Sequence, residues 1–470
     1  MSILGLILLQ EIQSIIFLKL NIKFVNTIVK LTLRIYNCLF YLEMMQLKHN
    51  KAWTEKLNIY KGSNMGALQG IRVLDLSRVL AGPWCGQILA DLGAEVIKVE
   101  RPHVGDDTRM WGPPWMLDQQ GKATRESGYY QCANRNKSSV AIDIATEEGQ
   151  KIVQEIAKTA DVVIENFKAG SLKKYGLDYD TLSQINPKLV YCSITGFGQD
   201  GPRAEEPGYD FIIQGMSGLM SITGEKDGEL GASSQKVGVA VVDIQTGLYS
   251  TIAIQAALLS RHQTGKGQYI DMSLLDVQVA ALANQGMNYL TSGVAPQRMG
   301  NNHPNIVPYQ TFQAQDKEFI IACGNDKQFK DLCIAIGKSE LLENPNYIRN
   351  QDRVKNRAEL VPLLAEYFKT NTAKHWVDAI HAVKVPVGVI NSVADALDEP
   401  QIQHRQMVVN IPHAYNPNFK VIGSPIKMSD TPVEYRNAPP RLGEHTDEIL
   451  SQILTKDEIL KLKLAGIIEG

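Results

Sequence analysis

An early alternation of two periodicities narrows the fold more than any other feature of this chain. Ile71 to Leu76 is a short apolar run that reads as a buried strand, and Cys85, Ile88, Leu89 and Leu92 then fall at i, i+3, i+4 and i+7 on a helix. Gly93 closes that helix, and Glu95 to Glu100 returns as a second strand. A strand, helix and strand of this length imply a parallel pair. The alternation repeats: a helix opened near Thr146 carries Ile152, Val153, Ile156 and Ala157, followed by a strand at Val162 to Ile164, a short helix at Tyr179 to Ile185 and a strand at Leu189 to Ile194. The spacing predicts a doubly wound, Rossmann-like α/β sheet. Ligands of such sheets bind at the carboxyl ends of the strands, here the loops after Leu76, Glu100, Ile164 and Ile194.

Further along, the apolar run from Gly238 to Val242 ends on Asp243, and a long helix is expected from Ile244 to Arg261, stopped by Gly265-Lys266-Gly267. A strand at Tyr269 to Met272 and a helix through Asn288 come next. Gly293, Pro296, Gly300, Asn301, Asn302, Pro304 and Pro308 then mark an irregular loop of the kind that is often functional or a linker. Beyond it the pattern predicts a hairpin (Tyr309 to Phe312, Phe319 to Cys323), helices at Gln328 to Ile336 and Arg357 to Phe368, a last strand at Pro386 to Ile390 and a closing helix near Asp457 to Leu464. With 470 residues there is room for two or three domains of about 150 residues each. The expected division is an extension over 1–64 outside the fold, the first part of a large Rossmann-like domain over 65–285, a smaller α+β domain with its linker over 286–390, and a return linker with the last part of the large domain over 391–470.

The extension contains two apolar stretches, Leu6 to Leu20 and Ile28 to Leu42, broken by Glu11, Gln13, Lys19, Lys30 and Arg34. Neither gives the span of about 20 apolar residues that a membrane helix needs. No membrane span is expected, and the localisation read from this is cytoplasmic, or the mitochondrial matrix should residues 1–64 act as a targeting segment. The formal net charge of -2 gives no electrostatic reason to expect a nucleic-acid partner. Six scattered cysteines without a C-x-x-C pair argue against a disulfide framework or a zinc site, and with no HExxH or EF-hand loop no metal is expected.

Two readings of Asp243 stand side by side. It can cap the long helix, accepting hydrogen bonds from the first free N–H groups. It can also be a nucleophile whose charge those groups and the positive helix end keep ionised. Arg101, following the strand Glu95 to Glu100, is either a phosphate-gripping guanidinium at the sheet's carboxyl edge or a solvated turn residue. Gly196-Phe197-Gly198-Gln199-Asp200-Gly201 matches the dinucleotide pattern G-x-G-x-x-G, but Pro202 and Pro207 break the helix that would receive a pyrophosphate, so the match is accidental. No G-x-S-x-G elbow supports a serine hydrolase.

Five separated motifs carry a family likeness: Leu74-Asp75-Leu76-Ser77-Arg78-Val79-Leu80-Ala81-Gly82-Pro83, Ala94-Glu95-Val96-Ile97-Lys98-Val99-Glu100-Arg101-Pro102, Asn134-Arg135-Asn136-Lys137-Ser138, Glu165-Asn166-Phe167, and Gly196-Phe197-Gly198-Gln199-Asp200-Gly201-Pro202. Together they resemble the class III CoA-transferases over essentially all of 65–470. The resemblance implies a Rossmann-like large domain, a small domain and two chains interlocked as a homodimer. It also implies that Asp243 is the catalytic aspartate and that Val79, Leu80, Ala81, Arg101, Ile142, Asn166, Phe167 and Lys174 hold CoA. The related racemases carry Gly-His-Asp where this chain has Gly208-Tyr209-Asp210. Tyrosine, with an ordinary pKa near 10, is a poor proton shuttle at neutral pH, so the transferase branch is favoured.

Residues 105–114 and 305–310 are similar to the succinyl-CoA:glutarate type. That likeness implies acyl-CoA and a free, dicarboxylic acid as substrates, with no tightly bound cofactor. Arg109 becomes a candidate for the substrate's distal carboxylate, its alternative being a structural ion pair with Asp106 or Asp107, and Arg298 is a weaker one. Tyr209 joins the substrate residues, and the loop around Gly300 and Asn301 is the candidate lid. The expected chemistry runs through an aspartyl anhydride and an aspartyl-CoA thioester at Asp243. An alpha-methylacyl-CoA racemase or a non-catalytic acyl-CoA binding protein are the alternatives.

Overall fold

A computed structural model describes residues 66–470, and the expectations for residues 1–64 lie outside the described residues. The fold opens with β1 (Arg72–Asp75), α1 (Ala81–Asp91) and β2 (Glu95–Glu100). It continues through β3 (Lys137–Ile142), α2 (Glu147–Thr159), β4 (Val162–Glu165), β5 (Val190–Thr195), α3 (Asp210–Met216), α4 (Val241–Thr264), β6 (Tyr269–Ser273) and α5 (Leu274–Ala280). In space the strands lie in the order β3-β2-β1-β4-β5-β6, all parallel, with Ile468–Glu469 added antiparallel beside β3. The sheet thus grows in one direction from β1 to β3 and in the other from β4 to β6. At that reversal a crevice opens at the carboxyl ends of β1 and β4, where ligands of such sheets sit.

Residue alternation along each strand builds both cores. Val73, Val96, Val162 and Val190 pack with α1 and α4 on one face, while Leu74, Ile97, Val163 and Tyr191 pack with α2 and the C-terminal segment on the other. Strands covered on both faces read as near-continuous apolar runs, which is why β1, β2, β4 and β5 stand out in the sequence. Thr146 caps α2 as its sequence suggests, its hydroxyl accepting from the Gly149 N–H at 3.1 Å. A third core gathers Phe312, Phe319, Phe368 and Trp376 around the antiparallel sheet of Tyr309–Gln313, Glu318–Ala322 and Val387–Val389.

Several boundaries differ from the sequence-based expectations. The long helix starts at Val241 and runs to Thr264 rather than spanning Ile244 to Arg261. The helix expected through Asn288 is two helices, α5 and Ala283–Ser292, because the chain turns at Ala281 and Leu282. β3 escapes notice because Lys137, Ser138 and Ser139 interrupt its apolar character, although Lys137 and Ser139 are buried. The hairpin of Trp115–Leu117 with Ala123–Ser127 is likewise unanticipated.

Candidate active site

Beneath the crevice lies a layer of buried, paired charges. Lys137 Nζ meets Asp75 at 3.0 Å, Lys98 Nζ meets Asp106 at 2.9 Å, and Arg109 grips Glu100 through Nε and Nη2 at 2.8 and 2.9 Å. Burial alone would raise the pKa values of Asp75 and Glu100; Lys137 with Lys98 and Ser77 around the first, and Arg109 with Lys98 and Ser139 around the second, together outweigh it and hold both below the ordinary carboxylate range. These pairs fix the loops that form the crevice floor. Lys98 also donates to the Ser77 carbonyl at 2.7 Å, and the Asp106 carboxylate accepts from the Val79 N–H at 3.2 Å. Val79 is held at φ 68, a left-handed conformation that costs a β-branched residue about 1–3 kcal/mol. Across the crevice, Asn166 clamps the same loop, its Oδ1 accepting from the Arg78 N–H at 2.8 Å and its Nδ2 donating to the Arg78 carbonyl at 2.7 Å.

Two cavities meet over this floor. One, of about 400 Å³, is lined by Arg101, Ile142, Phe167 and Lys174 among others. The second, of about 230 Å³, is lined by Val79, Leu80, Ala81, Asn166, Phe167, Tyr209 and Asp243. Arg78, Asp107 and Phe167 border both. Asp243, Tyr209 and all eight residues matched to CoA contacts therefore converge on one continuous cleft. Helix α1 opens on it with no side-chain cap at Leu80, and Leu80 and Ala81 at its start line the Asp243 cavity.

Asp243 is not the helix cap. Ala240 occupies that position, and Asp243 is the third residue of α4. The free N–H groups of the first turn are instead taken by Asp210, whose Oδ1 accepts from Val242 N at 2.8 Å and from Asp243 N at 3.4 Å. The Asp243 carboxyl is consequently not held ionised, as the sequence reading expected. Burial, and next the negative charge of Asp210, push its pKa up to about 7. Asp210 reaches this position because Gly196 and Gly208 touch backbone to backbone: a Cβ on Gly208 would lie 2.4 Å from the Gly196 Cα. Gly196, the first glycine of the apparent dinucleotide pattern, thus serves close approach, and no helix follows Gly201 before Asp210. Gly247, one turn below Asp243, similarly lets α4 press on α1, where a Cβ would meet the Ala81 carbonyl at 2.8 Å.

Other expectations are corrected. Arg109 does not face the cleft: it is buried, paired with Glu100 and Glu126, and stacked 3.7 Å from the Tyr130 ring centroid. Its guanidinium is fully used by scaffold contacts, and the partners are neither Asp106 nor Asp107. Arg298 pairs with Asp227 and donates to Ser234, away from the cleft lining. Gly300 lies beside Lys226, and neither it nor Asn301 lines the Asp243 cavity. The cations that do line that cavity are Arg78 and Lys168, neither singled out by sequence. Tyr129 was also missed; burial, and next the Asp243 carboxylate, push its pKa up to about 12, and its ring meets Trp111 edge-on at 5.0 Å. Asp210, adjoining Tyr209, and Arg78 lie within motifs named above, whereas Lys168 and Tyr129 had no local signal.

The model of CoA-transferase family III matches residues 68–446. The chain belongs to CoA-transferase family III. As a family III CoA-transferase it is 49% identical over 389 residues, 83% of this chain and 96% of the relative, to a succinate–glutarate CoA-transferase of Agrobacterium fabrum. It is 43% identical over 408 residues, 86% of this chain and 91% of the relative, to the succinyl-CoA:glutarate CoA-transferase of Mus musculus. Among solved structures, a CAIB/BAIF family protein from Brucella suis superposes with a TM-score of 0.73 at 49% identity, covering 83% of this chain and 99% of that one. This family III CoA-transferase is accordingly an enzyme that transfers CoA, with CoA thioesters as substrates. No helix among its described residues is long and apolar enough to cross a membrane.

Proposed function

We propose that this enzyme moves CoA from succinyl-CoA, or another dicarboxylyl-CoA, to a free dicarboxylate through covalent chemistry at Asp243. The observation that carries the reading is the cleft: a carboxyl group with a pKa near 7 sits at one end, and a larger cavity bearing Arg101 and Lys174 adjoins it. Neither Arg101 nor Lys174 has a carboxylate within ion-pair distance among the described residues. Their cavity suits the phosphates of CoA, with Val79, Leu80, Ala81, Ile142, Asn166 and Phe167 along the remainder of the ligand. The Asp243 cavity suits the pantetheine tip and acyl group. Dicarboxylates are the class named for the relatives above, and Lys168 is the cation left to meet a distal carboxylate.

An ionised Asp243 oxygen attacks the donor thioester carbonyl; the C–S bond breaks, and an aspartyl–acyl anhydride and CoA thiolate form. The thiolate attacks the aspartyl carbonyl, releasing the donor acid and leaving an aspartyl-CoA thioester. The acceptor carboxylate then displaces the thiolate to form a second anhydride, and the thiolate takes the acceptor acyl group, freeing Asp243. No net proton moves. A pKa near 7 makes the carboxylate more basic, hence more nucleophilic, while leaving about half of it ionised at neutral pH. The oxyanions are met by backbone N–H groups at the start of α1.

The interlocked homodimer belongs to the same proposal. It is supported by a row of exposed apolar side chains, Leu248, Ile252 and Leu259, along α4, whose other face, with Val242, Ile254 and Ala257, packs in the core. Cytoplasmic residence, or the mitochondrial matrix as the other setting, is supported by free thiols at Cys85, Cys192, Cys323 and Cys333, all buried.

Incubation with succinyl-CoA and a panel of free dicarboxylates, read by mass spectrometry, tests the function. New dicarboxylyl-CoA thioesters are expected. Bound CoA with no transfer across the panel would indicate a binding protein, and α-proton exchange with deuterium in place of transfer would indicate a racemase.

A further inference from the structure

The two cavities are separated by one ion pair. Arg78 Nη1 lies 3.1 Å from Asp107 Oδ2, and its guanidinium stands 5.2 Å above the centroid of the Phe167 ring. All three side chains border both spaces, so a ligand reaching from the Arg101 end to Asp243 must pass this waist. The backbone beneath Arg78 is immobilised by Asn166 on both its N–H and its carbonyl, and the next residue is anchored by Asp106. Only the side chain is free to swing. Both members of the pair are about half exposed, 48% each, and an ion pair this solvated holds its partners weakly. A guanidinium binds a phosphate through paired, charge-assisted hydrogen bonds that are stronger than those of such a surface pair.

We propose that Arg78 is an exchangeable phosphate-binding residue and Asp107 its counterweight. On binding, the guanidinium leaves Asp107 for the diphosphate bridge of CoA, which lies between the nucleotide and the pantetheine. Asp107 then faces that bridge as a like charge and lowers affinity for both substrate and product, so that the thioester leaves between turnovers. Arg78 and Asp107 together set how strongly the enzyme distinguishes a full CoA thioester from one lacking the diphosphate. This rests on the CoA-transfer reading for its substrate but not for its binding test.

Calorimetric titration with CoA, and kinetics with succinyl-CoA and succinyl-pantetheine, separate the outcomes. Arg78→Ala is expected to weaken CoA binding about ten- to a hundredfold, the worth of a charge-assisted contact, with Arg78→Lys between the two. Its ratio of kcat/KM for succinyl-CoA over succinyl-pantetheine should fall about tenfold or more. Asp107→Asn should tighten CoA binding and slow thioester release. Unchanged CoA affinity in both Arg78→Ala and Asp107→Asn would overturn the proposal, as would an unchanged substrate ratio in Arg78→Ala. Should the unaltered enzyme transfer nothing yet both variants shift CoA affinity as stated, the catalytic reading fails and this one stands.

Discussion

Carboxylates in the floor of the crevice and the carboxylate at its end live under opposite electrostatic regimes. Asp75, Asp106 and Glu100 are almost completely buried, yet each is met by a lysine or arginine, and their pKa values are lowered. Asp243 stands at the cleft wall with another aspartate beside it; burial of its carboxyl without a cation to offset it, and next the charge of Asp210, raise its pKa to about 7. The difference separates scaffold from chemistry. A paired buried carboxylate fixes loops and is chemically quiet, whereas an uncompensated one at a cleft wall is poised to react.

The contrast is broken most severely by deleting the reactive group. Asp243→Ala should lower the rate of CoA transfer by about a thousandfold or more, the order seen when a catalytic nucleophile is removed, while thermal unfolding stays near that of the unaltered chain. Residual transfer within tenfold would remove Asp243 from the chemistry. On the scaffold side, Arg109→Ala strands Glu100 in the interior and should cost about 3–5 kcal/mol in denaturant unfolding. Because the folded pKa of Glu100 is depressed, its contribution is present above its ordinary value of 4.5 and is lost as pH falls through the folded value. Arg109→Ala should therefore also flatten the acid limb of stability; a variant as stable as the parent would return Arg109 to the list of substrate residues.

Smaller effects sharpen the geometry. Gly208→Ala forces apart the contact with Gly196 that sets Asp210 and should cost about 1–3 kcal/mol, read by urea unfolding together with reduced kcat. The smallest is a pH shift. Since the ionised form of Asp243 attacks, kcat/KM should rise with pH through an apparent pKa near 7, and activity is lost below it. Asp210→Asn keeps an oxygen for the Val242 N–H but removes the like charge, so the limb should move to lower pH. A limb that stays in place would show that Asp210 does not tune the nucleophile.

Much of the sheet was legible in the sequence because β1, β2, β4 and β5 are covered on both faces and their apolar runs are local signals. α4 was misjudged at its start because Val241 and Val242 resemble strand residues; the feature that begins the helix is Asp210, about thirty residues earlier in the chain. The same distance problem governs the site. Motifs place Asp243, Arg101 and Asn166 by position alone, but the engagement of Arg109 depends on Glu100, Glu126 and the Pro440 carbonyl, which only folding assembles. Arg78 stood inside a quoted motif, yet nothing local marks it as the side chain spanning two cavities. The raised pKa of Asp243 was illegible for the same reason, since the packing that buries its carboxyl and the Asp210 charge beside it both come from elements remote in the chain.

The central claim is that Asp243 becomes covalently acylated. Enzyme mixed with succinyl-CoA, quenched with hydroxylamine and mapped by peptide mass spectrometry should carry a hydroxamate on the Asp243 side chain, because both an anhydride and a thioester yield it. An unmodified Asp243 peptide from enzyme that is turning over, or a hydroxamate on a different carboxylate, would contradict the account.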